Sequence, residues 1–390
     1  MALPCPFDAG QREPHILERL ASVRDTPALT AITATDDVRD TASTRPIAYW
    51  LLVCCAMVFA MAVIGAITRL TESGLSMAEW KPLIGILPPL SEAEWHRVFG
   101  LYKQTPEFRV YNAWMDLEGF KRIFWWEWFH RLWGQLIGFV FLIPFLRFWS
   151  QGRISRELWP KLAGLFLLGG LQGVIGWYMV MSGLVDRPEV SHYRLALHLG
   201  MAILIYGLLL RTALGILDPL PLAGWATESR RLRRHARVAL GLVGVTIVWG
   251  AFVAGTDAGL AYNSFPLMNG QWIPVEVNNL SPWWINPFEN TAAIQLTHRA
   301  LAILTGLVVL VLWLRVRAAR LPGRAGRVAA LTAGMVLLQI GLGIATLLSV
   351  VWIPVAAAHQ AGAILVVSGL VWLLHELRPV TARETWQRTA

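Results

Sequence analysis

The stretch that decides the fold is IAYWLLVCCAMVFAMAVIGAI, residues 47–67, which contains no Asp, Glu, Lys or Arg. An apolar run of about 18 residues or more is typical of a transmembrane helix. Three more charge-free runs of this kind occupy residues 162–182, 238–256 and 328–355. Four shorter apolar stretches each follow a histidine and reach spanning length when the helix includes it: residues 132–146, 199–210, 301–314 and 360–374. The sequence therefore predicts an all-α integral membrane protein with eight transmembrane helices.

The composition of the chain also excludes a soluble protein. Hydrophobic residues make up 55% of the 390 residues and charged residues only 15%, whereas a typical soluble domain has about 25% charged residues. The formal net charge of +9 reflects membrane topology and contact with anionic lipid, so no nucleic-acid partner is expected. Of the three cysteines, Cys54 and Cys55 are adjacent within the first span, which leaves no pair for a loop disulfide or a thiolate metal site.

The distribution of basic residues predicts the orientation of the chain. The segment ESRRLRRHAR lies between spans 4 and 5 and RVRAARLPGRAGR lies between spans 6 and 7, whereas residues 256–297 contain no Lys or Arg. The positive-inside rule then places both termini in the cytoplasm, and the long outer loop at residues 68–128, which carries both charge signs, follows this rule only weakly. We expect a polar N-terminal tail at residues 1–46, a basic cytoplasmic linker at 218–237 and a C-terminal tail at 377–390.

The two halves of the chain resemble each other. GAITRLTESGLSMAEWKPLIG, from Gly65, resembles GAFVAGTDAGLAYNSFPLMNG, from Gly250. FHRLWGQLIGFV aligns with THRALAILTGLV, GGLQGVIGWYM with LLQIGLGIATL, and LALHLGMAILI with AAAHQAGAILV. Each half therefore contains four spans and enters the membrane with the same orientation, as in parallel repeats. The prediction is two parallel, pseudo-symmetric four-helix bundles at residues 47–217 and 238–376.

Four histidines occupy matching repeat positions near the outer ends of their spans: His130, His198, His298 and His359. A lone intramembrane histidine can be a hydrogen-bonded packing residue, but four at one depth, paired within each half, favour a ligand role. Zinc takes three or four protein ligands, whereas a haem iron takes two axial ligands, one on each side of its ring. Glycines on the neighbouring helices, among them Gly176 and Gly343, leave room for such a ring, although close helix packing also explains them.

One difference between the halves concerns the residue three positions before the first histidine. The first half has Glu127 before His130, and the second half has Gln295 before His298. The i,i+3 spacing places each pair on one helical face. A buried glutamate can move protons or stabilise positive charge, which favours the first half as the reactive one. The alternative is an interfacial carboxylate paired with the next residue, Arg131.

These residues together resemble the haem A synthase family over about residues 47–374. The most specific matches are TRLTESGLSMAEWKPLIGILPPL, YNAWMDLEGFKRIFWWEWFHRLWGQ and the four repeat histidines. Because the outer loops contain no cysteine pairs, the chain resembles the cysteine-free branch found in proteobacteria and mitochondria. The resemblance implies an inner-membrane oxidoreductase that oxidises the C8 methyl of haem O to a formyl group by two successive hydroxylations, which gives haem A for cytochrome oxidase.

The same resemblance assigns roles to individual residues and partners. It implies that His130 and His198 hold haem O as the substrate, with Glu127 as the catalytic residue beside it. It implies that His298 and His359 hold a resident haem b, and that all four sites lie near the periplasmic side. Arg131 and its counterpart Arg299 either contact haem propionates or are interfacial arginines that reach toward water. Haem O synthase, cytochrome oxidase assembly proteins and an unidentified electron donor are the expected partners.

Two other functions agree with part of the pattern. A diheme b-type electron carrier linked to quinol would also need bis-histidine pairs, but here all four histidines share one outer depth. A transporter with parallel repeats would need broken helices and charged groups near the middle of the membrane, and the sequence shows neither clearly. The expectation taken forward is haem A synthesis, with the electron carrier as the alternative.

Overall fold

The computed structural model describes residues 28–79, 87–185, 190–218, 226–321 and 323–378. Outside this part lie most of the expected N-terminal tail, residues 80–86 of the first outer loop, residues 219–225 of the expected linker and most of the C-terminal tail. Contacts divide the chain into two units, Met1–Arg45 and Pro46–Ala390. All four repeat histidines belong to the second unit.

The described residues form twelve α-helices and no β-strand. In chain order the helices are α1 (Ala28–Leu70), α2 (Glu92–Tyr102), α3 (Pro106–Val110), α4 (Leu117–Ser150), α5 (Trp159–Val185), α6 (His192–Leu217), α7 (Ala226–Gly255), α8 (Ala258–Ala261), α9 (Asn286–Glu289), α10 (Thr291–Ala318), α11 (Ala325–Leu348) and α12 (Ile353–Glu376). Two 3₁₀ turns, Val275–Asn278 and Trp283–Ile285, lie in the second outer loop. Eight helices, α1, α4 to α7 and α10 to α12, are long and apolar enough to cross a membrane, which confirms the predicted number of spans.

Several helices extend beyond the apolar runs that predicted them. Helix α1 begins at Ala28, within the segment expected to be a polar tail, and α7 begins at Ala226, within the expected linker. Helix α4 begins at Leu117, well before the apolar run that starts at residue 132. Arg, Glu and Lys are good helix formers, so a helix can continue into water where hydropathy falls. An apolar run therefore marks the membrane crossing and not the whole helix.

The four spanning helices of the second half pack as a closed ring. Helix α7 packs against α10, α10 against α11, α11 against α12, and α12 against α7. Their shared core consists of small and branched aliphatic side chains, among them Ala239, Val309, Val328 and Leu370. Side chains of this kind suit a bundle in lipid, where helix association depends on close packing.

The first half has a more aromatic core. Trp50 on α1 stacks at a tilt on Phe141 of α4 with ring centroids 4.9 Å apart, and its indole N–H donates to the Val140 carbonyl at 2.7 Å. Leu162 of α5 and Leu209 of α6 complete the same cluster. Helix α6 also packs against α7 and α12, so the fourth span of the first half joins the two halves.

The outer segments fold over the ends of the spanning helices. In the first half, α2, α3 and the start of α4 enclose an aromatic cluster whose central members are Trp95, Phe99, Tyr102, Phe120 and Phe124. Ser91 and Thr105 cap α2 and α3, because their hydroxyls accept from the amides of Glu94 and Phe108. This folded cap packs against the first part of α4, from Leu117 to Trp128.

A matching turn follows the first span of each half. Glu72 and Asp257, which the repeat alignment pairs, both have φ of 51°, a left-handed conformation that is uncommon outside glycine. Arg69 also reaches from the end of α1 to Asp257, with Nη2 3.1 Å from a carboxylate oxygen. The outer ends of the two halves are therefore alike in backbone and are joined by an ion pair.

Candidate functional site

Each of the four repeat histidines lies against a glycine of a neighbouring helix. His130 faces Gly65, His198 faces Gly176, His298 faces Gly250, and His359 faces Gly343. A Cβ placed on these glycines would lie 3.4 Å from His130 Nε2, 2.8 Å from His198 Cε1, 3.1 Å from His298 Cε1 and 2.8 Å from His359 Cε1. At Gly176 and Gly343 the imidazole would have to shift to admit a Cβ, at Gly250 the contact would be tight, and at Gly65 it would be an ordinary contact.

The glycine contacts also set the register of the repeat. GGLQGVIGWYM and LLQIGLGIATL, aligned end to end, would pair Gly176 with Ile344. The structure instead pairs Gly176 with Gly343, one residue away, and therefore pairs Gln172 with Gln339. The end-to-end alignment of these two segments is wrong by one position. Gly65 and Gly250, the first residues of the aligned outer motifs, are site residues that the sequence reasoning did not recognise.

The histidines are paired within each half. His198 is a neighbour of His130, and His359 is a neighbour of His298. Within the described residues there is no group of three or more His, Cys, Asp or Glu side chains that could hold a metal ion. Two imidazoles with a glycine behind each ring fit a haem iron, which needs two axial ligands and room for a flat ring.

The second half fixes both of its imidazoles through the backbone. His298 Nδ1 lies 3.1 Å from the Thr246 carbonyl oxygen, and His359 Nδ1 lies 3.2 Å from the Gln339 carbonyl oxygen. A carbonyl accepts the Nδ1–H proton, so Nε2 keeps its lone pair for a metal. These two residues are therefore held in the tautomer that an axial ligand requires.

The first half holds its imidazoles differently. His198 Nδ1 lies 3.1 Å from the side-chain amide nitrogen of Gln172. The imidazole of His130 makes no hydrogen bond with the part of the chain that the structure describes, and its ring rests against Gly65. Neither imidazole of the first half donates to a backbone carbonyl, in contrast to both imidazoles of the second half.

Glu127 is a buried carboxylate that receives three hydrogen bonds. It is only 2% exposed. Its Oε2 accepts from the Ser76 hydroxyl and the Met77 amide, both at 2.7 Å, and its Oε1 accepts from Arg131 Nη2 at 2.5 Å. The pairing with Arg131 that the alternative considered is present, and the carboxylate is buried within the protein.

Gln295 makes the corresponding contacts with reversed polarity. Its Nε2 donates to the carbonyls of Ala258 at 2.6 Å and Tyr262 at 3.3 Å, and its Oε1 accepts from Arg299 at 2.9 Å. Tyr262 and Met77 are paired by the repeat alignment. The outer turn therefore offers donors to a glutamate in the first half and acceptors to a glutamine in the second.

Arg131 and Arg299 also bind the outer loops. Arg131 donates to the Met77 carbonyl at 3.1 Å and the Glu79 carbonyl at 3.3 Å. Arg299 donates to the Ser264 carbonyl at 2.9 Å and to the Tyr262 carbonyl at 3.2 Å. Buried Arg299 Nε has no partner within the described structure. Both guanidinium groups therefore attach a loop to a helix, whatever else they contact.

A second buried acid, Glu107 on α3, was missed by the sequence reasoning. It is 7% exposed, and its Oε2 has no hydrogen-bond partner among the described residues. Burial, together with the neighbouring Glu127 carboxylate, raises the pKa of Glu107 to about 8. Nearby Asn112 donates to the fully buried Tyr102 hydroxyl at 2.8 Å. No hydropathy signal distinguishes this acid from the exposed ones of the same loop.

Comparison with known proteins agrees with this geometry. The COX15-CtaA family, described as a cytochrome oxidase assembly protein, matches residues 48–371. The chain is 60% identical over 345 residues to a "Heme A synthase" of Rhodospirillum centenum, which covers 87% of this chain and 91% of that protein. It is 50% identical over 334 residues to a "Heme A synthase" of Nitrosospira multiformis, covering 86% and 94%. It is 41% identical over 382 residues to "Heme A synthase COX15" of Bos taurus, covering 96% and 92%.

Proposed function

Since the chain belongs to the COX15-CtaA family of cytochrome oxidase assembly proteins and acts as a haem A synthase, an oxidoreductase that converts haem O to haem A, we propose that its two histidine pairs have different tasks. His130 and His198 hold the substrate haem O, and His298 and His359 hold a resident haem b. The first half oxidises the C8 methyl of haem O by two successive hydroxylations, and the hydrated aldehyde so formed loses water to give the formyl group.

The observation that carries this assignment is the buried charge of Glu127. It lies one helical turn before His130, and the neutral Gln295 takes its place in the second half. Removal of electrons from the methyl carbon leaves positive charge, and a fixed carboxylate in a water-poor site lowers the energy of that charge. Three donors fix the position of the Glu127 carboxylate, as a preorganised electrostatic group requires.

The second half is suited to a cofactor that stays bound. His298 and His359 each direct Nδ1 at a backbone carbonyl, and such outer partners orient a metal-bound imidazole and increase its basicity. A haem b held there would supply one-electron transfer to the substrate site. No acid corresponds to Glu127 in this half, so its residues bind and orient without taking part in the oxidation.

The surroundings of the sites set the remaining parts of the proposal. The protein is a multi-pass membrane protein, and we place it in the bacterial inner membrane with both termini in the cytoplasm and both haem sites near the periplasmic side. The farnesyl tail of haem O would lie between helices, in contact with lipid. Arg131 and Arg299 are assigned to haem propionates in addition to their loop contacts, and the unpartnered Arg299 Nε supplies a donor for this. Haem O synthase and oxidase assembly proteins are the proposed partners.

The test is haem extraction and mass analysis of the purified protein and of two paired variants. We expect wild type to contain haem B together with haem O or haem A. Replacement of His298 and His359 by Met should remove haem B, and replacement of His130 and His198 by Met should remove haem O and haem A. The pattern with the two halves exchanged would refute the assignment.

The same measurement separates the enzyme from a diheme electron carrier. A carrier would contain haem B in both halves and no haem O or haem A. The relatives that align with both halves are named as haem A synthases, so the carrier alternative keeps no specific observation in its favour.

A further inference from the structure

Four arginines gather at the end of the molecule opposite to the haem-site histidines. The charged neighbours of Arg233, on α7, are Arg237 on the next turn, Arg211 on α6 and Arg378 just after the end of α12. We call these four residues the arginine cluster. His198 lies near the start of α6, whereas Arg211 lies near the other end of that helix. Because α6 packs against both α7 and α12, the cluster lies where the first half meets the second.

The positive charge of the arginine cluster is largely unbalanced. Apart from Arg378, its members make no side-chain hydrogen bond or ion pair with any residue that the structure describes. Asp218 lies 3.9 Å from Arg378 Nη2, but it also pairs with Arg324. Glu376 lies 3.2 Å from the same Arg324. These two carboxylates are therefore shared with an arginine outside the cluster, and the cluster can accept a further anion.

One member of the cluster is partly withdrawn from water. A basic residue near a membrane boundary usually reaches toward water with its charged group. Arg233 is half-buried, and its Nε is buried with no partner among the described residues, so water balances its charge only in part. Arg211 and Arg237 are exposed, which leaves their guanidinium groups open to a ligand. A guanidinium fork matches the oxygens of a phosphate group, and one phosphate can accept from more than one such fork.

Apolar residues continue from the cluster toward the middle of the membrane. Leu204 lies two turns from Arg211 on α6 and is exposed, and Leu240 lies two turns from Arg233 on α7 and is partly exposed. Residues seven apart lie on the same face of a helix. A ligand with its phosphate at the cluster would therefore meet apolar side chains where it extends into the membrane. This arrangement favours a phospholipid over a free phosphate, because basic pockets between spanning helices bind anionic headgroups.

We propose that the arginine cluster binds the phosphate headgroup of an anionic phospholipid, and that this lipid joins the two halves at the end opposite to the histidines. Arg211 belongs to the first half, and the other three arginines belong to the second. The recognised chemistry is a phosphate group with net negative charge, and the apolar faces identify a lipid as its source. The site is separate from both histidine pairs, so it does not depend on which haem each half holds.

The experiment measures lipid binding to the full chain, purified with its haems in a neutral detergent. Native mass spectrometry follows titrations with dioleoylphosphatidylglycerol, dioleoylphosphatidylcholine and inorganic phosphate. The test pair combines Arg211→Gln with Arg233→Gln. The control pair combines Arg231→Gln with Arg234→Gln, which removes the same charge from exposed positions of α7 outside the cluster.

We expect wild type and the control pair to bind phosphatidylglycerol equally well. The test pair should bind it about 30-fold more weakly, which corresponds to a loss of roughly fivefold for each arginine. Phosphatidylglycerol should also raise the midpoint temperature of unfolding of wild type and of the control pair, since a ligand that binds only the folded protein stabilises it. It should not raise the midpoint temperature of the test pair.

If the test pair does not retain its haems, Arg211→Lys with Arg233→Lys replaces it. This pair keeps the charge but loses the planar fork, and it should bind phosphatidylglycerol more weakly than wild type. Wild-type binding in the folded test pair, or equal losses in the test and control pairs, would overturn the inference, because the lipid would then have no site at the cluster. Equally tight binding of phosphatidylcholine would show that net charge is not recognised. Displacement of the lipid by inorganic phosphate at equal concentration would refute the assignment to a lipid.

Discussion

An added methyl group at Gly176 or Gly343 should remove the haem of one half and leave the other. The two glycines are equivalent in the repeat, and each lies behind the imidazole that belongs to the fourth span of its half. An alanine Cβ would lie 2.8 Å from Cε1 of His198 or of His359. The two variants therefore apply the same steric change to the two proposed sites, one at a time.

The size of the effect follows from that distance. Ordinary contact begins at 3.4 Å, so the ring has to move by about 0.6 Å, the difference between 3.4 and 2.8 Å. Overpacking of this kind costs about 1–3 kcal/mol, which corresponds to an affinity loss of about 5- to 140-fold at 1.4 kcal/mol per factor of ten. Gly250→Ala, at 3.1 Å, and Gly65→Ala, at 3.4 Å, should have progressively smaller effects.

The assay is haem extraction with mass analysis after purification under identical conditions. Gly176→Ala should lower the content of haem O and haem A relative to haem B, and Gly343→Ala should lower haem B. Gly173→Ala and Gly341→Ala are matched controls on the same two helices, because a Cβ at either position meets nothing within 4 Å. The controls should keep the haem content of wild type.

Three results would refute the reasoning. Gly176→Ala and Gly343→Ala could deplete the same haem, which would mean that the histidine pairs do not hold separate groups. The controls could lose haem as strongly as Gly176→Ala and Gly343→Ala, which would mean that helix packing and not the ring contact is responsible. Full haem content in both Gly176→Ala and Gly343→Ala would show that the imidazole rings do not lie against these glycines when haem is bound.

Two further predictions concern the buried acids. Glu127→Gln should keep both haems and lower haem A output by about 100-fold, the usual order for loss of one preorganised electrostatic group. The assay is mass analysis of the haems from whole cells. If the variant makes as much haem A as wild type, Glu127 only attaches the loop to the helix. Glu107 has a pKa of about 8 in the folded protein against an ordinary value of 4.5. The folded protein is therefore most stable, as far as Glu107 is concerned, below pH 4.5, and it loses stability as the pH rises toward 8. The loss is at most about 5 kcal/mol at 1.36 kcal/mol per pKa unit. Hydrogen exchange of α2 and α3 at pH 5 and pH 8 should show this loss in wild type and in the exposed control Glu118→Gln but not in Glu107→Gln, and a pH-independent wild type would contradict it.

Much of the fold was readable from the sequence, because lipid imposes strong rules on composition. Charge-free runs predicted eight spans, and the internal repeat identified four histidines that the structure places against four glycines. The ends of the helices could not be predicted. Helix α7 begins at Ala226 and α4 at Leu117, and both include polar segments before the apolar run. Because charged residues can also form helix, the change in hydropathy does not mark where a helix begins. The pairing of Gln172 with Gln339 needed the structure, because two short apolar segments rich in glycine align almost equally well in two registers.

The contacts around the histidines were even less predictable. A sequence shows that Glu127 and Gln295 differ, but it does not show that the facing turns differ in hydrogen-bond polarity to match them. Likewise, Arg131 and Arg299 were expected to face a cofactor or the lipid interface, and the structure shows both bonded to loop carbonyls. Backbone groups carry no residue identity, so a hydrogen bond to the backbone leaves no pattern in the sequence.

The polarity of these contacts gives the strongest reason to connect Glu127 with chemistry. Gln295 shows that a neutral side chain attaches the outer turn to the helix and pairs with the arginine one turn later. The first half does the same mechanical work with a buried carboxylate in place of the glutamine, and the pairing with an arginine one turn later is common to both halves. Attachment of the loop therefore does not require the charge. A carboxylate at a place where a glutamine makes the same attachment in the other half needs another purpose, and the reaction proposed above, which would develop positive charge beside His130, supplies one.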